Sequence, residues 1–307
     1  LLHNITKLGY EAPFPIQEQA IPAILTGKDV MGIARTGSGK TASFVLPILE
    51  KLQQEKAIRN RNITALILVP TRELAIQIQN VFTDFNVDLN RPIKTMAVFG
   101  GISINPQMKG MIGVEVLIAT PGRLLDLIAH NALSLEQLQY LVIDEADKMF
   151  QMGFGEEMDR ILKAIPKKKQ TILFSATLNE KVDEIKGTLN ITPLVVEVKK
   201  QDIDLDQIEQ VAYHVDQENK GPFLRYLIKS ENLEQVLIFV SSTRTADNLV
   251  DKLKKNKIPA MAIHSKKSQG ARMDNLEDFK LGDVKVLVAT DLIGRGIHIE
   301  GLPTVIN

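Results

Sequence analysis

The run Ala34-Arg35-Thr36-Gly37-Ser38-Gly39-Lys40-Thr41 constrains the fold of this chain more than any other feature. It sits between an apolar strand-like stretch, Val30 to Ile33, and a helical stretch that starts near Lys40. That strand–loop–helix context is what a phosphate-binding loop needs. Glycines let the backbone curl so that successive N–H groups point at phosphate oxygens, and the helix N-terminus adds partial positive charge. Thr36, Gly37, Ser38, Gly39, Lys40 and Thr41 are therefore candidate ligands of a nucleoside triphosphate. Lys40 would reach the β- and γ-phosphates, and the Thr41 hydroxyl suits magnesium. A Gly/Ser/Thr run can also be no more than a turn and a cap. The order of Gly, Lys and Thr directly after a strand argues against that reading.

A second polar run, Asp144-Glu145-Ala146-Asp147, follows the apolar stretch Tyr140 to Ile143. A carboxylate at such a strand end can hold magnesium through its water shell, and a second can orient and deprotonate an attacking water. Asp144 and Glu145 thus join Lys40 as candidate catalytic groups. In isolation the run is equally readable as a solvated helix start, since acids favour that end. The phosphate loop upstream weighs against the plainer reading.

Short apolar, β-branched stretches alternate with helical patterns along the chain. Strands are expected at 30–33, 65–69, 94–99, 114–119, 141–143, 171–174 and 194–198, with helices such as 41–54, 72–82, 122–129 and 180–187 between them. This alternation implies an α/β fold with a mostly parallel sheet, helices on both faces, and ligands at the carboxyl ends of strands. From Lys199 to Gln207 the pattern breaks into a polar, charged stretch that reads as a linker. A second alternation follows, with strands expected at 211–215, 236–240, 260–263 and 284–289 and helices at 246–253 and 272–279. The expected organisation is a first domain over 1–199, a linker over 200–207 and a second domain over 208–307.

With 307 residues, 44% hydrophobic and 24% charged, each domain can bury its own core. Cysteine is absent, which excludes disulfides and thiolate metal sites. The 37 basic and 37 acidic residues cancel, so a polyanion contact must come from local clusters. No apolar run is long enough to span a membrane and no secretory leader is visible, and the absence of cysteine suits the cytoplasm. The chain begins without Met and stops inside the strand-like stretch Val305-Ile306-Asn307, and so reads as a fragment.

Further polar motifs fall where strands end. The first half carries Pro70-Thr71-Arg72-Glu73-Leu74, Gly100-Gly101, Thr120-Pro121-Gly122-Arg123 and Ser175-Ala176-Thr177. The second carries Gln269 and Arg272, then Ala289-Thr290-Asp291 and Gly294-Arg295-Gly296. Singly, each is turn or cap chemistry. Together, and in this order, they resemble the DEAD-box ATP-dependent RNA helicase family over nearly the whole chain. Within it, Lys267-Ser268-Gln269-Gly270-Ala271-Arg272 looks most like the RhlE-type bacterial branch. The segment Gly9 to Gln17 looks like the family's adenine-reading motif, with Gln17 pairing the adenine edge and Tyr10 stacking on the ring.

The resemblance implies two tandem RecA-like domains, the second truncated at its C-terminus. It implies ATP and Mg2+ as cofactors, and hydrolysis coupled to domain closure, to local unwinding of short RNA duplexes or to remodelling of RNA–protein complexes. Asp144 and Thr41 would hold the metal, largely through water, and Glu145 would activate the hydrolytic water. Asp147, Ser175 and Thr177 would couple the nucleotide site to RNA. Thr71, Arg72, Gly101, Thr120 and Arg123 would contact the RNA backbone from the first domain, and Ser241, Thr243, Arg244, Gln269, Arg272 and Thr290 from the second. Backbone contacts of this kind carry little sequence preference. Ribosome-assembly or RNA-decay proteins are candidate partners for what would be a monomer.

Two departures stand out. His298 occupies the position, two after Gly296, where the family has an Asp expected to touch the ATP ribose. An imidazole there would weaken binding, make it pH-sensitive, or change little. The family's last motif, rich in His, Arg and Gly, would fall after Asn307, and its arginines would reach the γ-phosphate. An arginine finger is typically worth about 10³–10⁵ in rate, so this chain is expected to hydrolyse ATP poorly. An ATP-dependent RNA clamp without turnover and a DNA translocase are the rival functions. A P-loop kinase or GTPase is weaker, because no guanine-reading Asn-Lys-x-Asp run occurs.

Overall fold

A computed structural model of the chain describes residues 1–34, 37–57, 60–177, 180–198, 209–290, 299 and 301–307. Thr36, Gly296 and His298 of the expected nucleotide site, and the expected linker, lie outside the described residues. The chain divides into two units, Leu1–Lys200 and Gln201–Asn307.

The first unit opens with α1 (Leu2–Lys7) and α2 (Pro15–Leu25), then β1 (Val30–Ile33) and α3 (Lys40–Gln53). Strand–helix pairs follow: β2 (Ala65–Leu68) with α4 (Arg72–Asn86), β3 (Thr95–Val98) with α5 (Ile104–Gly110), and β4 (Val116–Ala119) with α6 (Pro121–Ala129). Then come β5 (Tyr140–Ile143), α7 (Ala146–Gln151), α8 (Gly155–Ala164), β6 (Gln170–Ser175), α9 (Glu180–Leu189) and β7 (Leu194–Glu197). The seven strands form one sheet in the order β3-β4-β2-β5-β6-β1-β7, and each pair is parallel.

The strands read as continuous apolar runs because both sheet faces are covered. Successive side chains alternate between two cores. Ala65 and Ile67 of β2 join Val142, Ile172 and Phe174 against Ile16, Ile24, Phe44, Ile48 and Phe82 from α2, α3 and α4. Leu66 and Leu68 join Leu141, Ile143 and Leu173 against Leu124, Met149, Met158, Ile161 and Ile185 from α6 to α9. A buried ion pair ties down the edge of this unit. Arg91 Nη1 donates to both Glu115 oxygens at 2.7 and 2.8 Å, and its Nη2 donates to the Leu52 carbonyl at the end of α3.

The second unit contains α10 (Lys220–Ser230), β8 (Val236–Val240), α11 (Thr243–Lys255), β9 (Ala260–Ile263), α12 (Gln269–Leu281), β10 (Val286–Thr290) and β11 (Thr304–Ile306). Its parallel sheet runs β11-β8-β10-β9. One face packs Val236, Ile238, Val286 and Val288 against Ala246, Val250 and Leu253 of α11, and the other packs Leu237, Leu287 and Ala289 against Phe279 of α12.

The strand expected at 211–215 is a correction. These residues form no ladder with any described strand. Val211 is 61% and Tyr213 53% exposed, so the apolar alternation that suggested a strand has no described sheet face to cover. The other expected strands form, shifted by one or two residues at their ends.

Gly32, in the middle of β1, lies against the Phe174 ring, and an added Cβ would overlap that ring and come within 3.3 Å of Ile16. Phe174 is fully buried and packed on Phe44 at 5.9 Å between ring centres, so it has nowhere to move. Gly32→Ala is therefore expected to destabilise the first unit by about 1–3 kcal/mol through overpacking. An unchanged melting temperature in thermal unfolding would contradict this packing.

Candidate active site and nucleic-acid interface

The phosphate loop joins the end of β1 to the start of α3. Gly39 is the N-cap of α3 at φ +85°, in the left-handed region that favours glycine. An added Cβ would meet Gln17 Nε2 at 2.6 Å and the Phe14 ring at 2.8 Å. Gln17 is 3% exposed and bridges two elements: its Oε1 accepts from the Phe14 N–H at 2.9 Å, and its Nε2 donates to the Gly39 carbonyl at 3.0 Å. It thereby closes the start of α2 and holds the loop from outside. One amide hydrogen and one lone pair remain for a ligand. Lys40 begins α3, is 7% exposed, and donates from Nζ to the Ala34 carbonyl at 3.0 Å. Gly37, Ser38 and Thr41 are at least partly accessible.

Tyr10 packs on Phe85 at the end of α4, with ring centres 5.4 Å apart. The aromatic ring found against the loop is instead Phe14, half exposed and seated on Gly39. Its side chain sits at the N-cap of α2, where capping chemistry rather than an aromatic is the usual signal.

Three carboxylates cluster after β5. Asp144 is 3% exposed, and its Oδ1 accepts from the Glu145 N–H at 2.9 Å. Burial pushes the Asp144 carboxyl from its ordinary 3.8 up to about 6; Lys40 and Lys148 pull it back down, while Glu145 adds to the rise. Glu145 sits at φ +53°, a left-handed conformation for a residue with a side chain, and serves as the N-cap of α7. Such strain costs on the order of 1–3 kcal/mol and collects at functional sites. Lys148 Nζ pairs with Glu145 Oε1 at 2.5 Å. Glu145 Oε2 and Asp147 Oδ1 are buried without a hydrogen-bond partner among the described residues. Among the described residues no three His, Asp or Glu side chains are arranged to hold a metal ion directly, so a hard divalent cation here would be held largely through its water shell. Asp147 Oδ2 accepts from Thr177 Oγ1 at 3.2 Å, and Ser175 Oγ donates to the Thr177 carbonyl at 2.7 Å. All three expected coupling residues are thus brought together.

The first-unit residues expected at RNA also converge. The Arg72 guanidinium lies against Gly101, where any Cβ would overlap it. Arg123 Nη2 donates to the Ile102 carbonyl at 2.9 Å. The loop after β3 is thus bracketed by arginines from α4 and α6. Thr71 caps α4 by accepting from the Leu74 N–H at 3.3 Å, and Thr120 is the N-cap residue of α6.

In the second unit, Ser241 is exposed at the end of β8, and Thr243 and Arg244 open α11. Gln269 and Arg272 occupy the first turn of α12, both nearly buried, with Arg272 Nη1 donating to Gln269 Oε1 at 3.2 Å. Thr290 ends β10 and is 8% exposed.

The model of the DEAD/DEAH box helicase family matches residues 14–185, and that of the helicase conserved C-terminal domain matches 219–307. The chain belongs to the DEAD/DEAH box helicase family. It is 39% identical over its whole length to the DEAD-box ATP-dependent RNA helicase CshA of Streptococcus pneumoniae, covering 58% of that protein. Over 99% of its length it is 36% identical to the RNA helicase CrhR of Synechocystis, covering 61% of it. The chain therefore spans about three-fifths of the curated relatives it matches. Among solved structures, Saccharomyces cerevisiae Dbp5 bound to RNA and ADP BeF3 matches all of the chain and 77% of its own, at 29% identity and TM-score 0.86. A DEAD box protein from Methanococcus jannaschii matches 99% of the chain and 81% of its own, at 34% identity and TM-score 0.58. The two α/β units are RecA-like domains of this helicase family.

Within a DEAD-box chain, Lys148 and Phe14 are contacts that motif reading passed over. The Glu145–Lys148 spacing of three was the available signal, since such residues face one another on a helix. No such signal points to Phe14, because the Gly39 contact is long-range.

The raised Asp144 pKa makes stability depend on pH. The folded chain keeps the Asp144 proton up to about 6, whereas the unfolded chain releases it near 3.8. The associated stability is complete below the unfolded value and is lost as pH rises through the folded value. Asp144→Asn keeps an acceptor for the Glu145 N–H and removes the charge. In metal-free, nucleotide-free buffer it is expected to be more stable than the parent by about 1–3 kcal/mol above pH 6, and equal to it below pH 4. A stability difference that does not change across this range, in urea titrations, would overturn the assignment.

Proposed function

We propose that the chain is the core of an ATP-dependent RNA helicase, an RNA-stimulated ATPase acting on short duplexes or RNA–protein complexes. The observation that carries this reading is the strand order. Along the carboxyl edge, β3, β4 and β2 present Gly101, Thr120 and Thr71 with Arg72, while β5, β6 and β1 present Asp144, Ser175 and the phosphate loop. One edge thus carries a block suited to phosphodiester contacts beside a block suited to a triphosphate. The names of CshA and CrhR, and Dbp5 bound to RNA and ADP BeF3, support the same pairing.

In this reading Gly37, Ser38, Gly39, Lys40 and Thr41 hold the phosphates, and Gln17 uses its remaining amide hydrogen and lone pair on adenine. Phe14, rather than Tyr10, is the aromatic near the loop. Asp144 and Thr41 would hold magnesium, which supplies charge neutralisation for the phosphate oxygens when bound. Glu145 orients the attacking water and accepts its proton once released from Lys148. Asp147 senses that rearrangement and passes it through Thr177 and Ser175. Arg72, Arg123, Thr71, Thr120 and Gly101 contact RNA phosphates and sugars, with Ser241, Thr243, Arg244, Gln269, Arg272 and Thr290 doing so from the second unit. We assign residues 1–199 to the ATP-binding domain, 200–207 to a linker and 208–307 to the second domain. No helix among the described residues is long and apolar enough to cross a membrane.

Phosphate release with magnesium and ATP is expected to rise with single-stranded RNA and not with DNA. Glu145→Gln is expected to lower it by about 10²–10⁴, the usual share of a general base, while ATP-dependent RNA retention persists. Stimulation by DNA would favour a translocase. Retention of RNA without any turnover in the parent would favour a clamp. A Glu145→Gln chain that hydrolyses at the parental rate would remove Glu145 from the mechanism.

A further inference from the structure

We propose that Asp247 is a positioning residue for RNA. Its carboxylate sets the spacing between the two helix starts of the second unit that meet the RNA backbone. The inference rests on the RNA reading of Thr243, Arg244, Gln269 and Arg272.

Asp247 Oδ1 takes two donors from one short segment, His264 Nε2 at 3.0 Å and Lys267 Nζ at 2.8 Å. That segment runs directly into α12, where Ser268 caps the helix by accepting from the Ala271 N–H at 3.2 Å. Gln269 and Arg272 follow in the first turn. On the other side, Asp247 comes three and four residues after Arg244 and Thr243 in α11. Residues at that spacing share a helix face. One carboxylate oxygen therefore joins the face that carries Thr243 and Arg244 to the loop that delivers Gln269 and Arg272.

Stability does not account for this arrangement. Asp247 is about half exposed, so water would satisfy it, and exposed ion pairs contribute little to folding. His264 is 1% exposed, and its Nδ1 is buried with no hydrogen-bond partner among the described residues. A buried, half-satisfied imidazole is a cost that an apolar residue would avoid. What the imidazole supplies is an Nε2–H aimed at Asp247 from an anchored loop end. Charge gives a second reason. An unpaired carboxylate one turn into α11 would repel RNA phosphates and compete for Arg244. Lys267 and His264 together hold the Asp247 carboxyl below its ordinary range and occupy its oxygen.

The test measures binding of a fluorescent oligouridine RNA to the 307-residue chain by anisotropy, with a non-hydrolysable ATP analogue present. Arg244→Ala is made in the parent, in Asp247→Ala and in Lys267→Met. In the parent, Arg244→Ala is expected to weaken RNA binding about tenfold, as for loss of a phosphate-contacting arginine. In either other background it is expected to cost about twofold or less, because the arginine is already misplaced. Asp247→Glu is expected to restore part of the Arg244 effect, and ATP-analogue affinity measured without RNA is expected to be equal in the parent, Asp247→Ala and Lys267→Met. The same Arg244 factor in every background overturns the proposal, even where Asp247→Ala alone weakens RNA binding. A parent chain that binds no RNA overturns the RNA reading and this inference with it. Lys267→Met carries the test should Asp247→Ala not fold.

Discussion

A parallel sheet covered on both faces leaves polar chemistry one place to go, the row of strand ends. In the first unit the strands β1, β2, β4, β5 and β6 are buried along their whole length. An unpaired polar group among them would be costly. Most polar residues therefore appear at strand ends or just beyond, as Ala34 gives way to the phosphate loop, Ile143 to Asp144, and Ala119 to Thr120; Gln170 and Thr171 at the start of β6 are buried exceptions, each with one side-chain oxygen unpartnered among the described residues. Because all strands are parallel, these positions fall on one edge. Strand order then decides which loops are neighbours. The blocks proposed for triphosphate and phosphodiester contacts meet between β5 and β2, and strands spaced about 4.8 Å apart put the phosphate loop roughly 15 Å from the Thr71 loop. That distance is too long for direct contact between the sites and short enough for the two hydrogen bonds joining Asp147, Thr177 and Ser175 to matter.

The strain in this edge is concentrated at Glu145. Its left-handed backbone lets the chain turn from β5 into α7 across Asp144 and Glu145 alone. The turn is held by the Glu145 carbonyl, which accepts from the Lys148 and Met149 N–H groups at 3.0 and 3.2 Å, and by the Lys148 ammonium on its side chain. Glycine would adopt the turn without strain but would supply no carboxylate. The cost in conformation is thus tied to the need for three acids within four residues, of which burial pushes Asp144 toward protonation.

Much of this was legible before the structure. The apolar runs announced buried parallel strands, and the glycines and lysine of the phosphate loop carried their chemistry in their order. What escaped were contacts between residues far apart in sequence. Nothing local marks Phe14 as the ring on Gly39, twenty-five residues on. Nothing marks His264 as a donor to Asp247. The strand expected at 211–215 failed for the converse reason. Alternation records a preference for a half-buried surface, and whether a partner exists is a property of the whole sheet. Tyr10 was chosen for its aromaticity, and its packing on Phe85 is a further long-range contact that no local pattern marks.

Ligand binding at this site is best viewed as an exchange of partners. Gln17 and Phe14 press on Gly39 and fix the start of α3. The two cations nearest the carboxylates are already engaged, Lys40 on the Ala34 carbonyl and Lys148 on Glu145. A triphosphate that draws Lys40 from a neutral carbonyl replaces a weaker acceptor with a charged one, and a charge-assisted bond is roughly twice as strong as a neutral one. Withdrawing Lys40 also removes one of the charges that lower the Asp144 pKa, so the Asp144 carboxyl would hold its proton more tightly unless a cation took the place of the ammonium. In the proposed mechanism the charges of triphosphate and metal would be linked at this edge, and Glu145 would act on water only once Lys148 had moved to another anion.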